Sequence, residues 1–427
     1  MREIVLKGVG EKIYYDQCEN GLKIYVWVNE KINTFKGSLV FLGGAENTEF
    51  TVNSKKYSVP SGTAHYLEHI MCKNDDGTSL LGKFNQLNSY SNAATYADKT
   101  AYEFVGTTNI LENLELLLDS IQFKNFVPEF FEAERGPILE EARMRKDDAS
   151  RLAYYGINTC LFHHYPNRVS GLGTISDIER ISLQDLKLFY QTFYHPLNSF
   201  LVVTGNVDPL EIIHFVKENQ RKKKFPKWEK PHLPRYFEPK KIVCEYKEIF
   251  ANIEVPKVYV SVKIPISSLP KKNIVTLLSI FQLVLISNFG STSLFREDLL
   301  EKKLVLSLNT SVEWERKYIV LKVWAKTKYP LEVCPILQEK MKHLDILEKD
   351  ISRKIKSEIA NLVLGYEDPE YVNDSLAYVL ATYGKIITNE KEILENITIQ
   401  DISEVIGKVS MKEMNTFVVN PIKKDEN

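Results

Sequence analysis

The sequence predicts an α+β protein of two similar domains, each a mostly antiparallel sheet covered by helices. Three observations predict this. The 427 residues are 44% hydrophobic and 26% charged, ordinary values for a globular chain long enough to bury cores without disulfides. Runs of β-branched and aromatic residues, bounded by Asn-Gly or Gly-Gly turns, alternate with amphipathic stretches at helical spacing. The order strands, helices, strands, helices occurs twice, over about 200 residues each time, although no motif is shared between the two passes.

Leu22 to Val28 is a strand entered through the turn Asn20-Gly21, and Lys36 to Leu42 is a second, closed by Gly43-Gly44. Helical patterns cover Gly62 to Cys72, Ile110 to Ser120 and Pro128 to Asp147. Ser182 and Asp185 mark a helix start that runs to Phe193. Phe200 to Thr204 is a buried strand, and Pro209 opens a helix to about Glu218. Residues 220–240 hold four prolines among many basic residues, so they read as a solvated linker between domains at 1–219 and 241–427. Beyond it come strands at Lys241 to Tyr246 and Lys257 to Ile264, then helices at Lys272–Ser287 and Leu294–Glu301. A strand near Tyr318 to Ala325 precedes helices at 330–348 and 349–364.

Charge excludes several classes of function. The 55 basic and 56 acidic residues leave a net charge of -1, so no whole-protein field draws in nucleic acid or anionic lipid. The N-terminus has no apolar core of signal-peptide length, and the apolar run Ile274 to Ile286 reads as a buried helix too short to span a bilayer. Five scattered cysteines with no CxxC pair point to reduced thiols and a cytoplasmic location, and the balanced charge and short apolar run imply no nucleic-acid or membrane partner.

The chemistry lies in Ser61-Gly-Thr-Ala-His65-Tyr-Leu-Glu68-His69. On a helix, positions i, i+3 and i+4 share a face. His65 and His69 therefore present two imidazoles to one point, as a zinc ion requires, and Glu68 lies beside them as a base for a metal-activated water. This is HxxEH, the inverted order of the HExxH zinc helix. A third protein ligand is needed. Glu134 and Glu141, two helical turns apart in ERGPILEE, share a face, so one can bind zinc while the other orients a ligand; Glu140 points about a third of a turn away. His163, His164 and His195 lie outside this pattern and read as structural.

HxxEH followed some 70 residues later by ERGPILEE resembles the inverzincin metallopeptidases: pitrilysin, insulin-degrading enzyme and the mitochondrial processing peptidase. The likeness is to the short, two-domain bacterial members and covers nearly the whole chain. Asn20-Gly-Leu22, Gly43-Gly-Ala45, Phe193-Tyr-His-Pro-Leu-Asn198 and Thr204-Gly-Asn-Val-Asp208 resemble segments of the family's first domain, in the right order. The resemblance implies one zinc per chain held by His65, His69 and Glu141, with Glu68 as general base and Glu134 as supporting acid. It also implies that Asn92, Ala93 and Ala94, in Ser91-Asn-Ala-Ala-Thr95, form the strand edge that receives a peptide substrate.

One part departs from the family. Members that bind substrate fully carry an Arg and a Tyr in the second domain. Here Leu300 falls at the Arg position and Leu306 or Ser307 at the Tyr position, while Arg296 lies one helical turn earlier and Tyr318 well beyond. The chain is therefore expected to be a zinc endopeptidase for flexible peptides, in general turnover or in precursor-peptide maturation. It is expected to work as the catalytic subunit of a heterodimer whose homologous partner supplies the Arg/Tyr clamp. A non-catalytic scaffold for another peptidase and a zinc-stabilised binding module are the alternatives. The first has no need of Glu68, and the second does not suit three non-cysteine ligands with an open position.

Overall fold

The computed structural model describes residues 1–74 and 76–422. Its secondary structure follows the predicted order. The first half contains β1 (Arg2–Val5), β2 (Lys12–Gln17), β3 (Lys23–Val28), β4 (Phe35–Phe41), a hairpin of β5 (Glu49–Val52) and β6 (Lys55–Ser58), α1 (Thr63–Met71) and α2 (Leu80–Gln86). It continues with β7 (Ser89–Thr95), β8 (Thr100–Gly106), α3 (Ile110–Gln122), α4 (Pro128–Lys146), α5 (Ala149–Leu161), α6 (Ile175–Arg180), α7 (Leu183–Phe193), β9 (Ser199–Gly205) and α8 (Pro209–Arg221). The second half contains β10 (Tyr246–Ala251), β11 (Lys257–Pro265), α9 (Ile274–Phe289), α10 (Leu294–Glu301), β12 (Ser307–Glu315) and β13 (Tyr318–Lys326). Then come α11 (Pro330–Lys342), α12 (Glu348–Gly365), α13 (Pro369–Tyr383), α14 (Glu390–Glu395), α15 (Ile399–Ile406) and β14 (Met414–Pro421).

The duplication that shares no motif is plain in the topology. The first sheet runs β1-β2-β3-β9-β4-β8-β7 and the second β10-β14-β11-β13-β12. Removing β1 and β2 from the first leaves the same order. In each, one outer pair is parallel (β3 with β9, β10 with β14) and the other neighbours are antiparallel. Three helices even keep a common spacing: α3 and α11, α4 and α12, and α5 and α13 each begin 220 residues apart.

The compact units do not follow the chain as two contiguous stretches. One comprises residues 1–143, 169–235 and 363–389; the other comprises 144–168, 236–362 and 390–427. Each half thus gives a helix to the other half's sheet. In the first unit, α13 lays Val372, Leu376 and Leu380 on a sheet face made of Trp27, Val40, Phe200 and Val202. Lys36, 3% exposed, fastens it through Asp374 at 2.6 Å, and Asn373 accepts from Ser38 at 2.6 Å. In the second unit, α5 packs Ala153 and Ile157 with Val320, Phe417 and Val419. The opposite face of each sheet carries the larger core.

Two expectations change. The strand expected at Lys241 to Tyr246 begins only at Tyr246. Before it, Val243 N–H and Cys244 N–H donate to the Cys160 carbonyl and Ile242 N–H donates to Glu413, so this backbone is satisfied outside a sheet. The proline-rich segment is irregular, as expected, yet it is packed rather than freely solvated. Phe225 stacks on Phe123, Trp228 stacks on His195, and His232 bridges to Thr51 of β5. Proline removed backbone donors, but Phe225 and Trp228 supplied apolar area to bury. The apolar run at Ile274 forms α9, whose Leu277, Ile280, Phe281 and Val284 are core residues. Together with α10 it reaches the length and hydropathy of a membrane span, a test that a buried core helix also passes.

Candidate metal centre

Two helices and an edge strand of the first unit build the site. Gly62 starts α1 at a φ of 91°, and a Cβ there would lie 2.4 Å from the Leu172 carbonyl oxygen, so only glycine fits. Tyr66, Leu67, Ile70 and Met71 are buried in the core, which fixes the rotation of α1 and turns His65, Glu68 and His69 toward α4. Tyr66 donates its hydroxyl hydrogen to the Phe131 carbonyl, tying the two helices together. Arg135 donates to the carbonyls of Ile178 and Ile181 at 2.7 and 3.0 Å, which holds α4 in place.

The geometry brings His65, His69 and Glu141 together, with their nearest donor atoms all within 4.8 Å of one another. Glu141 Oε2 lies 3.5 Å from His65 Nε2 and 3.3 Å from His69 Nε2. Two ligands held tetrahedrally at about 2.0–2.1 Å from zinc lie about 3.3–3.4 Å apart. The donor set therefore suits a zinc ion in chemistry, and both separations from Glu141 match the spacing of tetrahedral ligands. Among the described residues no other group of three His, Cys, Asp or Glu side chains gathers this closely.

Glu134 takes a different place from Glu141. Its Oε1 sits 3.0 Å from His69 Nδ1 and its Oε2 2.5 Å from Lys73 Nζ. An Nδ1–H donated to Glu134 leaves the Nε2 lone pair of His69 facing Glu141. The hydrogen bond from His69, with help from Lys73, holds the Glu134 carboxyl below its usual range. Glu140 turns to solvent and pairs with Arg143.

Glu68 is buried, and its Oε2 accepts a hydrogen bond from Thr95 Oγ1 at 2.6 Å. Burial pushes its carboxyl upward, against the hydrogen bond from Thr95. Thr95 ends β7, whose free side is the edge of the first sheet. Asn92 and Ala93 line one cleft with Glu68, His69, Lys73 and Glu134; Ala94 follows them on the same strand. Sequence reasoning missed Lys73 as a partner of Glu134, and saw Thr95 only as part of a strand pattern. Nothing in local spacing pairs Lys73 with residue 134. His195 is an N-cap that accepts from Leu197 N–H, and His163 points its Nε2 at the Lys241 carbonyl; neither joins the cluster.

The metal-free site has a testable proton. Burial works against a charge on His69, but hydrogen bonds to Glu134 and Glu141 outweigh it and carry the pKa from 6.5 up to about 9. A raised pKa means that protonation stabilises the metal-free fold fully below about 6.5 and that this contribution is lost as pH rises through about 9. A metal binding at Nε2 must displace this proton. Zinc binding at pH 7.5 is therefore expected to release a proton. Calorimetry in two buffers of different ionisation enthalpy measures it, and zero release would remove His69 from the ligand set.

Comparisons with known proteins point to one peptidase family. Residues 56–162 match the family described as Insulinase (Peptidase family M16), and residues 180–344 match the Peptidase M16 inactive domain. The uncharacterised zinc protease YmfH of Bacillus subtilis is 28% identical over 95% of this chain and 96% of its own length. The zinc protease PqqE of Helicobacter pylori is 30% identical over 37% of each chain. Among solved structures, an M16-like peptidase from Alicyclobacillus acidocaldarius superposes with a TM-score of 0.88 at 23% identity, covering 98% of this chain and all of that one. The periplasmic protease PqqL of Escherichia coli superposes with a TM-score of 0.74 at 16% identity, over 97% of this chain but 48% of that one.

Proposed function

The chain belongs to the insulinase (M16) family of peptidases, in its short two-domain form, and from that premise we propose that it is a zinc-dependent endopeptidase acting on flexible peptides. The observation that carries this reading is the spacing of Glu141 Oε2 from the two imidazoles, with a buried carboxylate beside them. His65, His69 and Glu141 hold one zinc ion, which when bound polarises a peptide carbonyl and acidifies a water. Glu68, oriented by the hydrogen bond that Thr95 donates to its Oε2, accepts the proton of the attacking water. Glu134 keeps His69 in the tautomer that offers Nε2. The open edge of β7 at Asn92, Ala93 and Ala94 receives an extended peptide through main-chain hydrogen bonds, which select for flexibility rather than sequence.

The test is metal content. Wild-type protein should hold one zinc per chain, and His65→Ala, His69→Ala and Glu141→Ala should each lose most of it. Glu134→Ala should keep more zinc than Glu141→Ala. Full zinc in all three ligand variants, by elemental analysis, would overturn the assignment.

We also propose that the chain works with a homologous subunit, for example in maturing a precursor peptide. The family's Arg/Tyr clamp has no counterpart at Leu300 or Ser307. Leu300 and Leu306 are 37% and 56% exposed, and Tyr318 is buried with its hydroxyl donating to the Glu238 carbonyl. A fold match over half of the longer PqqL chain is compatible with two such units acting together. Holding both ends of the scissile region can be worth several kcal/mol, so the isolated chain is expected to cleave weakly. A subunit supplying Arg and Tyr, or the double substitution Leu300→Arg and Ser307→Tyr, should restore cleavage. Full activity of the isolated chain, unchanged by a partner, would reject this arrangement.

A further inference from the structure

We propose that the second unit carries an anion site built on Lys354, Arg353 and Thr292, which takes a carboxylate of a bound peptide; the choice of a peptide rests on the peptidase reading. The inference comes from comparing the two halves in register. Helices α4 and α12 correspond with an offset of 220 residues, so Lys354 stands where Glu134 stands in the first half. The segment after α1 brings Lys73 to within 2.5 Å of Glu134. The corresponding segment between α9 and α10 brings Thr292, whose hydroxyl oxygen accepts from Lys354 Nζ at 2.7 Å. The helix position has thus inverted its charge, while its partner has become neutral.

The consequence is a buried cation without a counter-ion. Lys354 is 7% exposed, and among the described residues no carboxylate forms an ion pair with it. Burial, with the neighbouring Arg353, lowers its pKa, and Glu358 and Asp350 oppose this only in part. Arg353 reaches the same place, with its Nη2 amino group donating to the Thr292 carbonyl at 3.4 Å and to Asp350 at 3.2 Å. Buried charges are ordinarily paired, because an unpaired one has lost its hydration without compensation. An ammonium has three donors, and Thr292 occupies one. A carboxylate would neutralise Lys354 and, with two oxygens, take both remaining donors in charge-assisted hydrogen bonds. In the first unit, the comparable place is part of a cleft beside a strand edge. A peptide carries such a carboxylate at its C-terminus.

Two measurements on the full-length protein test this. In a Glu68→Gln background, a flexible peptide with a free C-terminus should bind about tenfold more tightly than its C-terminal amide, and Lys354→Met should abolish the difference. In the metal-free protein, glutarate should raise the melting temperature relative to chloride at equal ionic strength, and Lys354→Met should remove the rise. Lys354→Met should also melt higher than wild type without added anion, because it removes an uncompensated charge. A wild type that ignores either the peptide carboxylate or glutarate, or a Lys354→Met variant that keeps either preference, would overturn the site. Glutarate needs no peptidase. A lost glutarate effect in a protein that cleaves peptides rejects the anion site alone. A retained effect in a protein that cleaves nothing, alone or with a clamp-bearing subunit, rejects the peptidase reading alone.

Discussion

Replacing Glu68 by glutamine is expected to leave zinc bound and to lower peptide cleavage by ~10²–10⁴-fold. Glutamine has the shape of glutamate, and its amide oxygen still accepts the hydrogen bond that Thr95 makes at 2.6 Å. It cannot accept a proton at neutral pH, so what is lost is general-base catalysis. Glu68 is not among the three gathered donors, so the metal should remain. The measurement pairs zinc stoichiometry with cleavage of a flexible peptide, in whatever assembly is active. Cleavage at the wild-type rate would show that Glu68 is not the base. Loss of zinc with loss of cleavage would show that Glu68 supports the site rather than the reaction.

Lys263→Met is expected to destabilise the second unit by about 3–5 kcal/mol, the usual cost of leaving half of a buried ion pair alone. Lys263 is fully buried on β11, the middle strand of its sheet. Its ammonium donates to Glu238, to the Leu161 carbonyl and to the Pro239 carbonyl, each at 2.8 Å. Glu238 in turn accepts from the backbone N–H groups of His163 and His164. This knot joins the end of α5 to β11 and to the segment before β10. Removing the ammonium strands the Glu238 carboxylate in the interior. Guanidinium unfolding measures the loss, and adding Glu238→Gln should recover part of it, because the stranded charge is then gone. A change under about 1 kcal/mol would mean that water reaches Glu238.

Much of the site was legible because its chemistry is local. His65, Glu68 and His69 lie within two turns of one helix, so spacing alone puts them on one face. Glu134 and Glu141 share a face for the same reason, and the geometry separates them, with Glu141 near both Nε2 atoms and Glu134 at the Nδ1 of His69. The partners from elsewhere were not legible. Lys73 reaches Glu134 and Thr95 reaches Glu68 across 61 and 27 residues, separations at which no periodicity survives.

The fold divides in the same way. Turn residues, caps and apolar runs determined the α+β class, many of the helices and the strands β3, β4, β9, β11 and β13, including the capping box at Ser182 and the proline start of α8. They also determined that His65, Glu68 and His69 face one point. Tertiary structure alone decided that α5 and α13 cover the sheets of the opposite halves, that β7 is an edge strand, and that Phe225 and Trp228 pack the proline-rich segment down. Amphipathic periodicity says that a face must be buried but carries no address for its partner. Non-local packing of whole apolar faces supplies that address.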